Sequence, residues 1–420
     1  MTTNYRETRE MLWEYKHVII IGILYLLVLY YLLLKLVKRK IHNGTLLVGI
    51  TILMLVPAKK SYDKYHANRV EYNKIGGSSL SLYLEQSPIN TLAPFVEAKV
   101  FLKAVKEFDK QFKYPFFEVE ETGIENIVVV IGESARKDAL HLYGNIEQTT
   151  PLIERRVENL LIYNNAVSPS SFTNLAVTLL LSKQLPSNEF TIEKNSDNLI
   201  ALANSSKVWS TYWLSSQENA GIYVNLFSMI NSHAIYKEWT KGSKYDEAIL
   251  PLLTQRIKDE NKKRLIFIHI NGSHALVNER YPNTFMKFSN NKKRFVNEYN
   301  NSILYTDYVL NEIIEQVKDT KSIVIYVSDH GQSIMSDSYK HSFTKKGVEV
   351  PFFIWHSDGV NESFKKTGRI DTPISTTNLY NIVSDYMGIK GLEAKNENSE
   401  LKLLNPSIET VLYSEMEEGL

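Results

Sequence analysis

Residues 18–37, VIIIGILYLLVLYYLLLKLV, carry a single charge, Lys35, near the far end. About 20 apolar residues match the hydrocarbon core of a bilayer. A helix resting on a soluble core would keep a polar face, and this run has none. A cleaved signal peptide would be shorter and would end at a small-residue site, which excludes that reading. The run predicts a membrane-spanning helix. A second run, TLLVGITILMLVPA at 45–58, is shorter and reads as a second span in preference to an interfacial or buried helix. Lys38, Arg39 and Lys40 crowd the short connection between the two. Positive residues favour the cytoplasmic side, so with two spans everything after residue 60 lies outside the cytoplasm.

The chain then divides into a membrane anchor (1–60), a polar, mostly helical juxtamembrane connector (61–122) and a large domain (123–420). The net charge of +1 and the lack of a basic stripe interleaved with aromatics argue against nucleic acid as a partner. Cysteine is absent, which excludes a disulfide framework, a thiolate-held zinc and a thiol nucleophile.

In the large domain short apolar runs alternate with helical stretches. IVVVI (127–131), LLIY (160–163), VWSTYWL (208–214), RLIFIHI (264–270), SIVIYVS (322–328) and PFFIW (351–355) read as buried strands. Segment 297–319 reads as an amphipathic helix covering them. Strands separated by helices predict an α/β fold with a mainly parallel sheet covered on both faces.

Ligands of such sheets bind beyond the carboxyl ends of the strands. Glu133 follows the first run, His274 the fourth, and Asp329 and His330 the fifth. Carboxylate oxygens with imidazole nitrogens suit zinc or a similar divalent ion. Taken singly, each has a plain alternative. Glu133 or Ser134 could cap a helix, and an Asp-His pair could be a cap beside a surface histidine. In AVSPSSFTNLAVTLLLS (166–182), Ser168, Ser170, Ser171 and Thr173 precede an apolar helix. A hydroxyl there gains from free backbone N–H groups, and a nearby metal would make it nucleophilic. On this segment alone, simple capping is the stronger reading.

VVVIGESARKDALHLYGNIEQTTP (128–151), followed by the hydroxyl-rich segment, HINGSH (269–274), SDHG (328–331) and His341 before VPFFIW, resembles the phosphoethanolamine transferases. These enzymes of the sulfatase and alkaline phosphatase superfamily modify lipid A and lipopolysaccharide cores. The resemblance covers about 125–385 and implies a sulfatase-like α/β/α sandwich. It implies that Glu133, Thr173, Asp329 and His330 bind one zinc ion and that Thr173 attacks the phosphorus of phosphatidylethanolamine. His274 and His341 match histidines that hold the transferred phosphate or a second zinc. His269 matches another such position, although strand alternation also explains a buried histidine there. The implied acceptor is lipid A or a lipopolysaccharide core sugar, and the implied location is the inner membrane with the catalytic domain in the periplasm.

The chain departs from the family pattern in several ways. Gln332 stands where many members carry an acid, which bears on a second zinc, and Phe172 replaces a glycine before the nucleophile. One or two spans stand against a usual five. A true sulfatase is excluded because Val167 and Ser171 flank Pro169 where that chemistry needs a cysteine or serine and an arginine. A related glycerophosphate transferase or a catalytically degenerate lipid-binding scaffold are the remaining alternatives.

Overall fold

All six apolar runs form strands of one eight-stranded sheet in the computed structural model, which describes residues 113–217, 226–240, 242–260, 263–289, 293–395 and 400–419, with residues 31, 55, 56, 58–60, 62 and 108. The spans expected at 18–37 and 45–58, and the connector before residue 113, lie outside the described residues apart from those single positions. Among the described residues no helix is long and apolar enough to cross a membrane. The chain divides into two compact units, Met1–Lys106 and Glu107–Leu420, and the second holds every strand of the sheet.

The strands are β1 (Asn126–Gly132), β2 (Leu160–Tyr163), β3 (Ser210–Ser215), β4 (Tyr236–Trp239), β5 (Arg264–His269), β6 (Ser322–Ser328), β7 (Phe352–His356) and β8 (Gly368–Ile370). Their order across the sheet is β8-β2-β7-β6-β1-β5-β3-β4. The sheet is mixed. β7 runs antiparallel to both neighbours, and every other adjacent pair is parallel. Every residue of NIVVVIG in β1 is buried, as an unbroken run of β-branched residues demands of a strand covered on both faces. β4 and β8 have no apolar run because they are partly exposed edges, reading YKEW and GRI.

Helices cover both faces. α5 (Arg294–Val317) turns Tyr305, Val309, Ile313 and Val317, four residues apart, onto Val128, Val130, Leu214 and Ile266 together with α4 (Ile249–Ile257). On the opposite face α1 (Thr173–Leu181), α2 (Leu199–Ser206), α3 (Leu226–Ser232) and α6 (Leu379–Tyr386) pack together. Phe227 of α3 stacks there on Trp213 of β3, ring centroids 6.3 Å apart. The result is the three-layer α/β/α arrangement.

β1 lies between β6 and β5, parallel to both, with Gly132 beside Ser328 and Ile131 beside both Val327 and His269. Three chain segments therefore leave the sheet side by side at one edge. Gly272, in the segment after β5, has φ +50, and a Cβ there would meet the Glu133 carbonyl oxygen at 2.6 Å. Only glycine lets that turn lie against the turn after β1.

Candidate metal and nucleophile site

Glu133 leaves β1 into a sharp turn in which Ser134 takes φ 57, a left-handed conformation uncommon outside glycine. Tertiary bonds hold that turn. Ser134 N–H donates to Asp329 Oδ1 (3.0 Å), Ala135 N–H to Ser328 Oγ (2.9 Å), and Arg136 N–H to Tyr299 Oη (2.9 Å). Glu133 caps no helix, and the Ser134 hydroxyl donates to its Oε1 at 2.6 Å. The capping explanation for Glu133 thus fails, and the carboxylate faces inward, buried.

The capping explanation fails for Thr173 as well. Phe172 is the N-cap of α1, with no side-chain cap bond, and Thr173 is the first helical residue. Its Oγ1 lies 3.3 Å from Glu133 Oε2, to which it donates, and 3.1 Å from His330 Nε2. The other candidate hydroxyls are used elsewhere or sealed in. Ser168 donates to the carbonyls of Ser170 and Asp329, and Ser170 and Ser171 are buried.

His330 Nε2 stands 3.4 Å from Asp329 Oδ2 and 3.6 Å from Glu133 Oε1. His330 Nδ1 lies 2.7 Å from the Gly331 carbonyl, which can only accept, so Nδ1 carries the proton and Nε2 presents its lone pair. Asp329 Oδ2 is buried with no hydrogen-bond partner. Glu133, Asp329 Oδ2 and the Thr173 hydroxyl thus all stand around His330 Nε2. Such a buried, unpartnered oxygen is costly unless a cation or proton meets it.

The electrostatics agree. Burial, reinforced by the neighbouring Glu133 charge, pushes the Asp329 carboxyl well up. Burial also opposes the Glu133 charge; His330, His274 and His269 counter it only while those rings are protonated, whereas the hydrogen bond from the Ser134 hydroxyl counters it throughout. Two buried acids side by side thus call for a positive partner.

The other histidines separate. His341, on an exposed stretch after the strand pair Ser333–Ile334 and Tyr339–Lys340, brings a ring nitrogen within 4.8 Å of ligand atoms of Glu133 and His330. Its ring centroid is 4.6 Å from that of His330 and 6.1 Å from that of His274. Among the described residues that cluster holds neither His274, which borders it, nor Asp329, whose Oδ2 lies 3.4 Å from His330 Nε2. His269 is buried against Trp213 and Phe227, ring centroids 5.8 and 5.4 Å away, and burial pushes it down to about 4. Gln332 is buried, with its Oε1 unpartnered.

Sequence reasoning missed several supporting residues. Gln217 donates from Nε2 to Glu133 Oε2 (3.2 Å) and to the Ile270 carbonyl (3.1 Å). Its position just after β3 was the available signal. Asp246 accepts from the backbone N–H groups of Asn271 (2.8 Å) and Gly272 (2.9 Å), anchoring the turn that carries His274. Tyr299 and Arg280 likewise act from helical or turn positions with no local signature.

A three-layer α/β/α sheet with acids, a histidine and a hydroxyl at its carboxyl edge defines a class. The protein-family model described as Sulfatase matches residues 125–389, and the chain belongs to the sulfatase family. Among curated proteins it is 30% identical over 355 residues to YhbX of Escherichia coli K12, covering 81% of this chain and 64% of that protein. It is 24% identical over 373 residues to the Kdo(2)-lipid A phosphoethanolamine 7''-transferase of the same strain, covering 79% and 64%. The chain thus spans under two thirds of these relatives. The crystal structure of the C-terminal periplasmic domain of EptC from Escherichia coli superposes with TM-score 0.61 at 20% identity, covering 71% of this chain and 96% of that domain. Its complex with zinc superposes with TM-score 0.59 at 19% identity, with the same coverage. The resemblance to phosphoethanolamine transferases read from the sequence is borne out.

Proposed function

We propose that the chain transfers phosphoethanolamine from phosphatidylethanolamine to a lipopolysaccharide acceptor, lipid A or a core sugar, through a covalent intermediate on Thr173. Glu133, Thr173, Asp329 and His330 would hold one zinc ion, which would lower the pKa of the threonine hydroxyl and neutralise charge on the phosphoryl oxygens. The donor set fits zinc, with two carboxylates, one imidazole lone pair aimed inward and a hydroxyl oxygen. The single observation carrying this is the unpartnered, buried Asp329 Oδ2 beside His330 Nε2, Glu133 and Thr173. The zinc-bound form of a structural neighbour supports the choice of metal.

In the first displacement the Thr173 oxygen bonds to phosphorus, the bond from phosphorus to the glyceride oxygen breaks, and the threonine proton ends on that departing oxygen. Diacylglycerol leaves. In the second, an acceptor oxygen bonds to the same phosphorus and the threonine oxygen departs, recovering its proton from the acceptor hydroxyl. Glu133 Oε2 stands within reach of the threonine hydroxyl and can relay that proton. The N-terminus of α1 offers backbone N–H groups to the developing negative charge. His341 would act on the phosphoryl oxygens from the exposed side. The apolar run at 18–37 would hold the domain to the inner membrane, with residues 123–420 in the periplasm beside a donor that stays in the bilayer.

The test is to purify the whole chain in detergent, measure its zinc and incubate it with fluorescent phosphatidylethanolamine, comparing Thr173→Ala. Bound zinc, release of labelled diacylglycerol and a phosphoethanolamine-sized mass adduct are expected, the last two absent in the variant. Removal of a covalent nucleophile should cost at least about a thousandfold in rate. Zinc without lipid cleavage would point to another donor, and neither would move the chain to the scaffold reading.

A further inference from the structure

Arg280 is buried at the end of the turn Val277–Glu279, directly behind His274. Its Nε and Nη2 donate to the Ala275 carbonyl at 3.2 and 2.7 Å, and Nε reaches the His274 carbonyl at 3.3 Å. Nη2 also stands 3.1 Å from His274 Nδ1. A guanidinium has only donors and keeps its proton in proteins, so Nδ1 must be the acceptor and the ring proton must sit on Nε2. A doubly protonated ring would set two donors against each other. His330 is the opposite tautomer, proton on Nδ1 and lone pair on Nε2, because a carbonyl faces its Nδ1. The two imidazoles are thus prepared for different tasks. With Nδ1 taken by Arg280 and Nε2 protonated, His274 has no free lone pair to give a metal.

We propose that Arg280 is a positioning residue that fixes His274 as an Nε2–H donor to a non-bridging oxygen of the transferred phosphoryl group, and not as a ligand of a second metal ion. This rests on the phosphoryl-transfer reading above and decides between the two tasks that reading left to His274. A neutral N–H donor beside the carboxylates suits a group whose equatorial oxygens gather charge during transfer. Two further features agree. The His274 ring borders that of His341, which stands on the exposed side of the site, at 6.1 Å. The turn holding it is anchored at a second point by Asp246 through the N–H groups of Asn271 and Gly272.

The experiment measures zinc stoichiometry and the dissociation constant for inorganic phosphate with the full chain in detergent, for wild type, His274→Ala, His274→Gln, Arg280→Met, Arg280→Lys and the double variant His274→Ala/Arg280→Met. Zinc stoichiometry should be the same throughout. Phosphate should bind roughly ten- to a hundredfold more weakly in His274→Ala and Arg280→Met. His274→Gln, which keeps an N–H near the Nε2 position, should recover most of that loss. Arg280→Lys, an ammonium that also only donates, should stay near wild type, and it guards against misfolding of Arg280→Met. The double variant should be no weaker than His274→Ala alone, because Arg280 acts through His274. Loss of a zinc ion in His274→Ala would overturn the inference in favour of a metal ligand. A multiplicative loss in the double variant would overturn the role of Arg280. Phosphate binding insensitive to both residues sinks this inference alone, whereas intact phosphate binding without phosphatidylethanolamine cleavage sinks only the choice of donor.

Discussion

If the chain holds zinc as proposed, Asp329 is the residue on which binding turns. Its Oδ1 is committed to the backbone N–H groups of Ser134 (3.0 Å) and His330 (2.6 Å), while Oδ2 is buried without a partner. Asp329→Asn keeps the size and one acceptor but puts an amide or a neutral oxygen where the cation needs charge. Even changes to groups behind metal ligands cost about ten- to a hundredfold in affinity, so this substitution should weaken zinc binding by at least about a hundredfold. A zinc titration by calorimetry checks it. An unchanged affinity would remove Asp329 from the site. Thr173, by contrast, is only half-buried at the first position of a helix. Its reach toward Glu133 and His330 depends on where that helix starts.

At the scale of elements, the far end of α1 is held by a buried ammonium. Lys395 Nζ donates to the carbonyls of Leu179 (3.0 Å) and Ser182 (2.9 Å), at the C-terminus where a positive charge is favoured. Asn381 fixes Lys395 through its backbone N–H and carbonyl, both at 2.7 Å. Lys395→Met leaves those carbonyls unpartnered and should cost about 1–3 kcal/mol of stability, with zinc stoichiometry unchanged. Thermal unfolding with parallel zinc analysis checks this, and an unshifted midpoint would show that the ammonium does not secure the helix. A second element carries pH dependence. Asp307 of α5 accepts from the N–H groups of Leu152 (2.9 Å) and Ile153 (3.0 Å) at the start of the short helix Pro151–Glu154. Burial pushes its carboxyl up to about 7, well above the ordinary carboxylate range. A raised acid favours the folded state while protonated. Its contribution is full below about pH 4 and is lost as pH rises through about 7. Asp307→Asn should therefore flatten the fall in melting temperature between pH 5 and pH 8. The effect is at most about 4 kcal/mol. Parallel melting curves for the two proteins would rule the carboxyl out as its source.

At the scale of the whole molecule, the unit Glu107–Leu420 contains the complete sheet, both helical layers and every candidate ligand. Expressed alone, it should fold and bind zinc with the affinity of the full chain. Its rate on phosphatidylethanolamine in vesicles should fall well below that of the full chain, while the two should match on a detergent-dispersed, short-chain donor. Equal rates on vesicles would mean that residues 1–106 contribute nothing to reaching the lipid. The split follows from separate physics. A large buried sheet stabilises the domain by itself, whereas the span expected at 18–37 would act only through the bilayer.

The strands that build the site were legible because an unbroken Ile/Val run has few places to be other than the middle of a covered sheet. IVVVI, RLIFIHI and SIVIYVS led directly to Glu133, His274, Asp329 and His330, since polar residues following such strands emerge at one edge when the strands are parallel. The partly exposed edge strands Tyr236–Trp239 and Gly368–Ile370 had no such signal, because an edge tolerates polar residues. The sequence alone also left Thr173 and Glu133 open to a capping role. Only the tertiary structure decided otherwise, by making Phe172 the cap and by setting the Thr173 hydroxyl beside Glu133, across 40 residues of chain. It also brought in Gln217, Asp246, Arg280 and Tyr299, and it assigned opposite tautomers to His274 and His330. The physical reason is that periodicity and burial are local properties of a chain, while a proton's position on an imidazole depends on the one atom facing it. That atom is supplied by the fold.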